Sequence, residues 1–369
     1  MKKIGIMTFH ASHNYGSVLQ AYALSKELID MGYDAQIINL RNKAQRDAYK
    51  VFKTKGAGFK KFFHTAFAVM NLPKAYNRAR NFERFINKVL PITAECFSSG
   101  KELENATNYD IYVCGSDQIW NPCCQDFESS YYLDFVKNGA KRVAYAPSLG
   151  RAEFSNEHKE LIKELLNNID FISCRESDGT KLLSELTEKP VTQVCDPVIL
   201  LGKEKWEAFA KPVKYKKPYI LTYFLENNHG DKKFLKELQS KTGYRVICLN
   251  EDIKDLGKGY KHKIDATPEE FVGLFKNAAL VYTNSFHGTA FATMFNRPLV
   301  TIIGKENESN NNDSRKINYL NSIGLSHRLV TDKLPKIDEI LSTEDYKIAN
   351  EKIEEIRASS NNYLTNSLN

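Results

Sequence analysis

The chain has 369 residues, 42% of them apolar and 26% charged, with a formal net charge of +7. That balance fits a soluble globular protein of two ordinary domains, and no apolar run reaches the roughly 18 residues of a membrane span. Seven cysteines without framework spacing exclude a disulfide scaffold and point to reduced thiols in the cytoplasm; the start MKKIGIMTFHASHNYG, lacking a long apolar segment, does not read as a signal peptide.

In chain order, KKIGIMTF reads as a short apolar strand. GSVLQAYALSKELIDMG reads as a helix, with Val18, Leu19, Tyr22, Leu28 and Ile29 at helical spacing and Gly32 at the stop. DAQIINL is the next strand. Residues 41–90 form a basic, aromatic insertion, expected to be helical with breaks at Gly56, Gly58 and Pro73. They hold 13 Lys/Arg against two acids, so the rest of the chain sums to −4. A nucleic-acid binder is more often basic throughout its domain, so no nucleic-acid partner is expected. Strands YDIYVC, RVAYA, DFISC and VTQVC follow, with helices around 155–168 and 176–186. A second series contains PYILTYFL, a helix near 230–241, YRVICL, TPEEFVGLFKNA, ALVYT and PLVTII. Thr267, Pro268 and Glu270 give that fourth segment a capping box. Continuous apolar strands separated by helices imply parallel sheets covered on both faces. The expected domains are 1–205 and 206–340, followed by a helical tail, 341–369. KENESNNNDSRK, 305–316, reads as a polar loop.

Ligands bind outside the carboxyl ends of strands in open parallel sheets, so the loops after the strands carry the chemistry. HASHNYGS holds His10, His13, Asn14, Tyr15 and Gly16. It lacks the further ligands a metal needs, and no metal is expected; Asn14 and Tyr15 read as a cleft wall at a helix start. No G-x-G-x-x-G or P-loop signature is present. CGSDQIWNP places Asp117 at a strand end as a candidate base, with Trp120 as an aromatic face for a sugar. SCRESDG places Arg175 after its strand, where a planar guanidinium fits carboxylate or phosphate. VCDP, with Asp196, reads first as a turn. TNSFHGTAFATMF is strand, turn and helix: Asn284, Ser285 and the N–H groups near Gly288 face an anion at the helix start, and His287 stands beside it.

NYGSVLQAYAL, VCGSDQIWNP, RVAYAPSLG, ISCRESDG, VCDPVILL and TNSFHGTAFATMFNRPLV together, in this order, resemble the polysaccharide pyruvyl transferases. The resemblance implies two Rossmann-like domains in a GT-B-like arrangement with an interdomain cleft, acceptor side first and donor side second. It implies transfer of pyruvate from phosphoenolpyruvate to a glycan sugar as a ketal, with no other cofactor. By resemblance Arg175, His287 and Lys316 bind the donor, with Arg315 and Lys305 as alternatives to Lys316; from the loops themselves, Ser285, Gly288, Asn14, Tyr15 and Trp120 are expected to line the substrate site. His287 and Asp117 are the candidate catalytic pair. A glycan acceptor that is lipid-linked would give the basic insertion, with Phe62, Phe63, Phe67 and Phe82, a peripheral role at the inner face of the cell membrane. Rival readings are a nucleotide-sugar GT-B glycosyltransferase and a non-catalytic partner in a glycan assembly complex.

Overall fold

The computed structural model describes residues 1–48, 58–105, 108–137, 139–151, 153–225, 232–250, 255, 257–304 and 314–369. Lys305 lies outside them, and Phe62, Phe63 and Phe67 lie outside the side chains described.

The first unit runs β1 (Lys3–Met7), α1 (Tyr15–Asp30), β2 (Asp34–Leu40), α2 (Lys43–Ala48), α3 (Gly58–Lys88), β3 (Ile92–Phe97), β4 (Ile111–Cys114) and β5 (Lys141–Ala144). Its five strands pair in the order β3-β2-β1-β4-β5, all parallel. Then come α4 (Asn156–Leu166), β6 (Ile172–Cys174), α5 (Ser177–Leu186), β7 (Val191–Gln193), α6 (Pro197–Leu201) and α7 (Lys203–Phe209). β6 and β7 pair in parallel and meet β5 through a bridge between Val143 and Phe171.

The second unit runs β8 (Tyr219–Tyr223), α8 (Lys232–Thr242), β9 (Arg245–Cys248), β10 (Lys261–His262), α9 (Pro268–Lys276), β11 (Leu280–Thr283), α10 (Phe286–Met294) and β12 (Leu299–Ile302). It ends with α11 (Ser314–Ser322), β13 (Leu329–Val330), α12 (Ile337–Leu341) and α13 (Tyr346–Leu368). Its sheet order is β10-β9-β8-β11-β12-β13, again parallel throughout. Two open parallel sheets with crossover helices are two Rossmann-like units. β1, β4, β8, β11 and β12 are buried almost end to end, as strands covered on both faces must be. The expected capping box starts α9: Thr267 Oγ1 accepts from Glu270 N at 3.2 Å, and Glu270 Oε2 accepts from Thr267 N at 2.9 Å.

One expectation fails. Helix α3 begins at Gly58, an expected break, and runs unbroken through Pro73 to Lys88; Gly56 lies outside the described residues. Pro73 itself sits exposed. The half of the helix after it is anchored by buried Phe82, Phe85 and Ile86.

The two units share one apolar core. Tyr15 stacks on Phe271 with ring centroids 4.3 Å apart, and its hydroxyl donates to the Ala266 carbonyl at 2.7 Å. Trp206 packs edge-on against Phe291 at 5.0 Å and donates from Nε1 to the Val198 carbonyl at 2.7 Å. Helix α13 then returns to the first unit. Ser360 Oγ accepts from Cys195 N at 2.9 Å, and the Tyr363 hydroxyl donates to the Ala144 carbonyl at 3.0 Å. Replacing Trp206 by Ala removes a fully buried side chain and should cost about 3–5 kcal/mol of stability, read by urea unfolding; a loss under about 1 kcal/mol would show that the shared core is not organised around this residue.

Candidate functional site

The turn between β11 and α10 is fixed from both sides. Asn284 Oδ1 accepts from Leu225 N at 2.8 Å, and Thr283 Oγ1 accepts from Ser285 N at 3.0 Å. Ser285 caps α10, its Oγ accepting from Gly288 N at 3.3 Å. The N–H groups of Phe286 and His287 open the helix and have no carbonyl within it to bond, which makes this turn suitable for an anion.

His287 is buried in that first turn. Against it lies Gly16 of α1; a Cβ added there would sit 2.1 Å from His287 Nδ1. Only glycine permits this approach of the two units. On the other side His287 Nε2 lies 3.5 Å from Asp196 Oδ2.

Asp196 is fully buried. Its Oδ1 caps α6 by accepting from Val198 N at 2.8 Å, and its Oδ2 accepts from Arg175 Nη1 at 2.5 Å. Burial alone would raise its pKa, but His287, Arg175 and the Val198 N–H outweigh burial and hold it well below the usual carboxylate range. Arg175 also donates from Nε to Glu176 Oε1 at 3.0 Å, and its guanidinium lies 4.7 Å over the Phe286 ring. Burial would lower its pKa; the carboxylates of Glu176, Asp196 and Asp117 reverse that and raise it.

Arg315, on α11, closes the group from the second unit. The Gln118 amide oxygen, in the orientation that satisfies both groups, accepts from its Nη1 at 2.9 Å and its Nη2 at 2.6 Å. Burial, then the charge of Arg175, lower its pKa, so the two guanidiniums are close enough to repel. Asp117 completes the floor. It follows Gly115, whose φ of +126° and contact with the Tyr145 carbonyl exclude a side chain. Asp117 itself holds a φ of 70°, sparsely populated for a residue with a Cβ. Three bonds keep it there: Oδ2 accepts from Ser17 Oγ at 2.6 Å, Oδ1 from Gln118 N at 2.9 Å, and its carbonyl from Ser148 N at 2.8 Å.

Among the described residues, Arg175 Nη2, Arg315 Nε and His287 Nε2 are buried without a hydrogen-bond partner. Buried polar nitrogens left unpaired cost stability, so the two guanidinium nitrogens, from residues that line one cavity, mark a place for a ligand. A cavity of about 320 Å³ lies alongside, lined by Arg175, Asp196, Phe286, Arg315, Asn318 and Tyr319 among others.

The remaining expected residues stand elsewhere or do other work. Asn14 caps α1, accepting from Gly16 N at 2.9 Å. Tyr15 is in the shared core. Trp120 is fully buried, stacked on Tyr132 at 4.5 Å and donating to the Tyr131 carbonyl at 3.1 Å, which leaves no face for a sugar. Lys316 Nζ donates to the Ile302 carbonyl at 2.9 Å. His10 pairs with Asn39 at 3.0 Å and His13 with Glu83 at 3.0 Å, so the two histidines do not converge. The described His/Cys/Asp group with metal-like spacing is Cys248, Asp255 and His262, whose candidate ligand atoms lie within 4.8 Å of one another; there Lys232 Nζ already holds Asp255 at 2.9 Å, occupying a cation's place. Sequence reasoning undervalued Asp196. Its signal was an acid at a strand end, which is also what a helix cap looks like.

A family model described as polysaccharide pyruvyl transferase matches residues 14–305, most of the chain. The chain belongs to the polysaccharide pyruvyl transferase family. No curated protein matches it. Solved structures similar to this family member include S. aureus MnaA with UDP, at 12% identity and a TM-score of 0.49 over 98% of this chain and 91% of that one. A UDP-GlcNAc 2-epimerase from Methanocaldococcus jannaschii matches at 14% identity and 0.49 over 95% and 92%. The E. coli heptosyltransferase WaaC with ADP-2-deoxy-2-fluoro heptose matches at 13% and 0.41 over 96% and 99%.

An anion should bind where Arg175 and Arg315 line the cavity. Inorganic phosphate at about ten times its Kd is expected to raise Tm by about 2 °C or more, and Arg175→Ala or Arg315→Ala to abolish the rise. An unchanged rise in both variants would move the anion site elsewhere.

Proposed function

We propose that this pyruvyl transferase family member takes its pyruvyl group from phosphoenolpyruvate and joins it as a ketal to two hydroxyls of a glycan sugar. One observation supports the reading most directly: Arg175 and Arg315 each keep a buried nitrogen without a hydrogen-bond partner and line one cavity beside the helix start that carries His287. Phosphoenolpyruvate carries a phosphate and a carboxylate on one small frame, and both need cationic or N–H partners. In this reading the phosphate lies at the Ser285–Thr289 turn. The two guanidiniums, held apart by Asp196, Glu176 and Gln118, take the remaining anionic oxygens. Arg315 is the α11 cation that meets the donor; Lys316 stands one residue on and adds positive charge.

The steps follow from that placement. His287 gives a proton to the methylene carbon, and the double bond supplies the electron pair. C2 becomes electrophilic. One sugar hydroxyl adds to C2 and loses its proton to Asp117, the candidate base. The bond from C2 to the phosphate oxygen breaks, and the second hydroxyl closes the ketal. Two hydroxyl protons are released: one replaces the proton placed on the methylene carbon, and the other leaves with inorganic phosphate. Asp196 Oδ2, 3.5 Å from His287 Nε2, orients the ring for the first step.

Phosphate release from phosphoenolpyruvate with a glycan acceptor tests this. His287→Ala and Arg175→Ala should lose activity while keeping a cooperative unfolding transition; full turnover in both would sink the assignment. His287→Gln should lower kcat by about 10²–10⁴-fold and flatten the pH–rate profile if the ring moves the proton. A raised KM with an unaltered profile would instead make it a phosphate ligand. Asp196→Asn keeps a cap on α6 but removes the charge, and should lower kcat more than it raises KM for phosphoenolpyruvate; a change in KM alone would make Asp196 a purely structural brace.

A further inference from the structure

Helix α3 has two unlike sides. Facing inward, Phe82, Phe85 and Ile86 are buried. Arg78 donates to the His13 and Ile264 carbonyls, both at 3.0 Å, and Asn81 donates to the Asp265 carbonyl at 2.8 Å. Facing outward, Leu72 is 37% and Tyr76 62% exposed, and Arg80, Arg84 and Lys88 are exposed after them. Spaced four apart, these five fall along the free side of the helix. They form an apolar and aromatic end followed by three cations. The acid within the helix, Glu83, does not offset them: it accepts from Arg41 at 2.9 Å and pairs with His13 at 3.0 Å. Those partners, the His13 hydrogen bond foremost, hold its pKa at about 2 against the opposing effect of burial, so it stays ionised and spent.

We infer that the outer side of α3 docks this protein on an anionic lipid bilayer. The surface is the convex outside of a helix rather than a groove, so it suits a broad charged plane better than a threaded polymer. Tyr76 and Leu72 suit the headgroup boundary, where an aromatic ring with a polar tip is stable, while Arg80, Arg84 and Lys88 reach anionic headgroups. Residues outside 41–90 sum to −4, so the chain's excess of positive charge falls in the segment that carries the outer cations of α3. Among the described residues no helix is long and apolar enough to cross a membrane, so the contact is peripheral.

The docked side is joined to the site. Arg78, on the same helix, also donates to the Tyr15 hydroxyl at 3.3 Å, and the next residue is Gly16, the one against His287. Docking therefore holds the first wall of the cleft near the bilayer, where an acceptor carried on a lipid would be met. The docking itself requires no part of the pyruvyl-transfer reading, because binding is measured without substrates.

Co-sedimentation of the full chain with phosphatidylcholine vesicles, with and without phosphatidylglycerol, tests the inference. The protein should pellet with the anionic vesicles at low salt, weakly at high salt, and not with pure phosphatidylcholine. Arg80→Glu/Arg84→Glu/Lys88→Glu should weaken binding by at least about tenfold with Tm unchanged, since all three side chains are exposed. Tyr76→Ala, with the charges intact, should lower the fraction that stays bound at high salt. No binding at low salt, equal binding to uncharged vesicles, or an unaffected triple variant each overturns the inference. Capture on heparin without vesicle binding would also overturn it, by making the surface one for soluble polyanions.

Discussion

The buried carboxylate of Asp196 is the interaction on which the site depends. One of its oxygens fixes α6 in the first unit; the other holds Arg175 and faces His287 of the second. An ion this deeply buried is stable only where its partners are well aligned. The same carboxylate therefore sets the position of a guanidinium, the orientation of an imidazole and the spacing of two sheets. Loss of any one partner leaves the others with an uncompensated charge, so the group behaves as a unit.

Around that unit, both walls of the site are built from strand ends and the first turns of helices. Gly16, Asp117 and Arg175 come from the first unit, and Ser285, His287 and Arg315 from the second. Small residues at Gly16 and Gly115 let backbones approach where side chains would separate them. The shared core behind, around Tyr15, Trp206 and Phe271, carries this closeness through the body of the protein.

Much of this was legible in the sequence, for physical reasons. Central strands such as IYVC and LVYT are buried on both faces, so they appear as unbroken apolar runs. The α9 cap was legible because a Thr, Pro and Glu at that spacing satisfy the free N–H groups locally. Edge strands were not: ITAECF alternates polar and apolar residues, and β10 and β13 are two residues each. At the site, Arg175, His287 and Asp117 were legible as polar residues at strand ends. The link from Asp196 to His287 was not, because it joins residues remote in sequence and Asp196 also caps its own helix. Trp120 looked available because nothing nearby in sequence reveals that Tyr132 covers it.

Helix α13 has a consequence for how the protein is made. It follows the whole second unit in the chain, yet it supplies Ser360 to Cys195 and Tyr363 to Ala144, beside β5 and β7 of the first. A unit that emerges early from the ribosome usually completes its core before later segments appear. Here the first sheet waits, one flank uncovered, until the second has been synthesised. Closure of the cleft and completion of folding thus become a single late event.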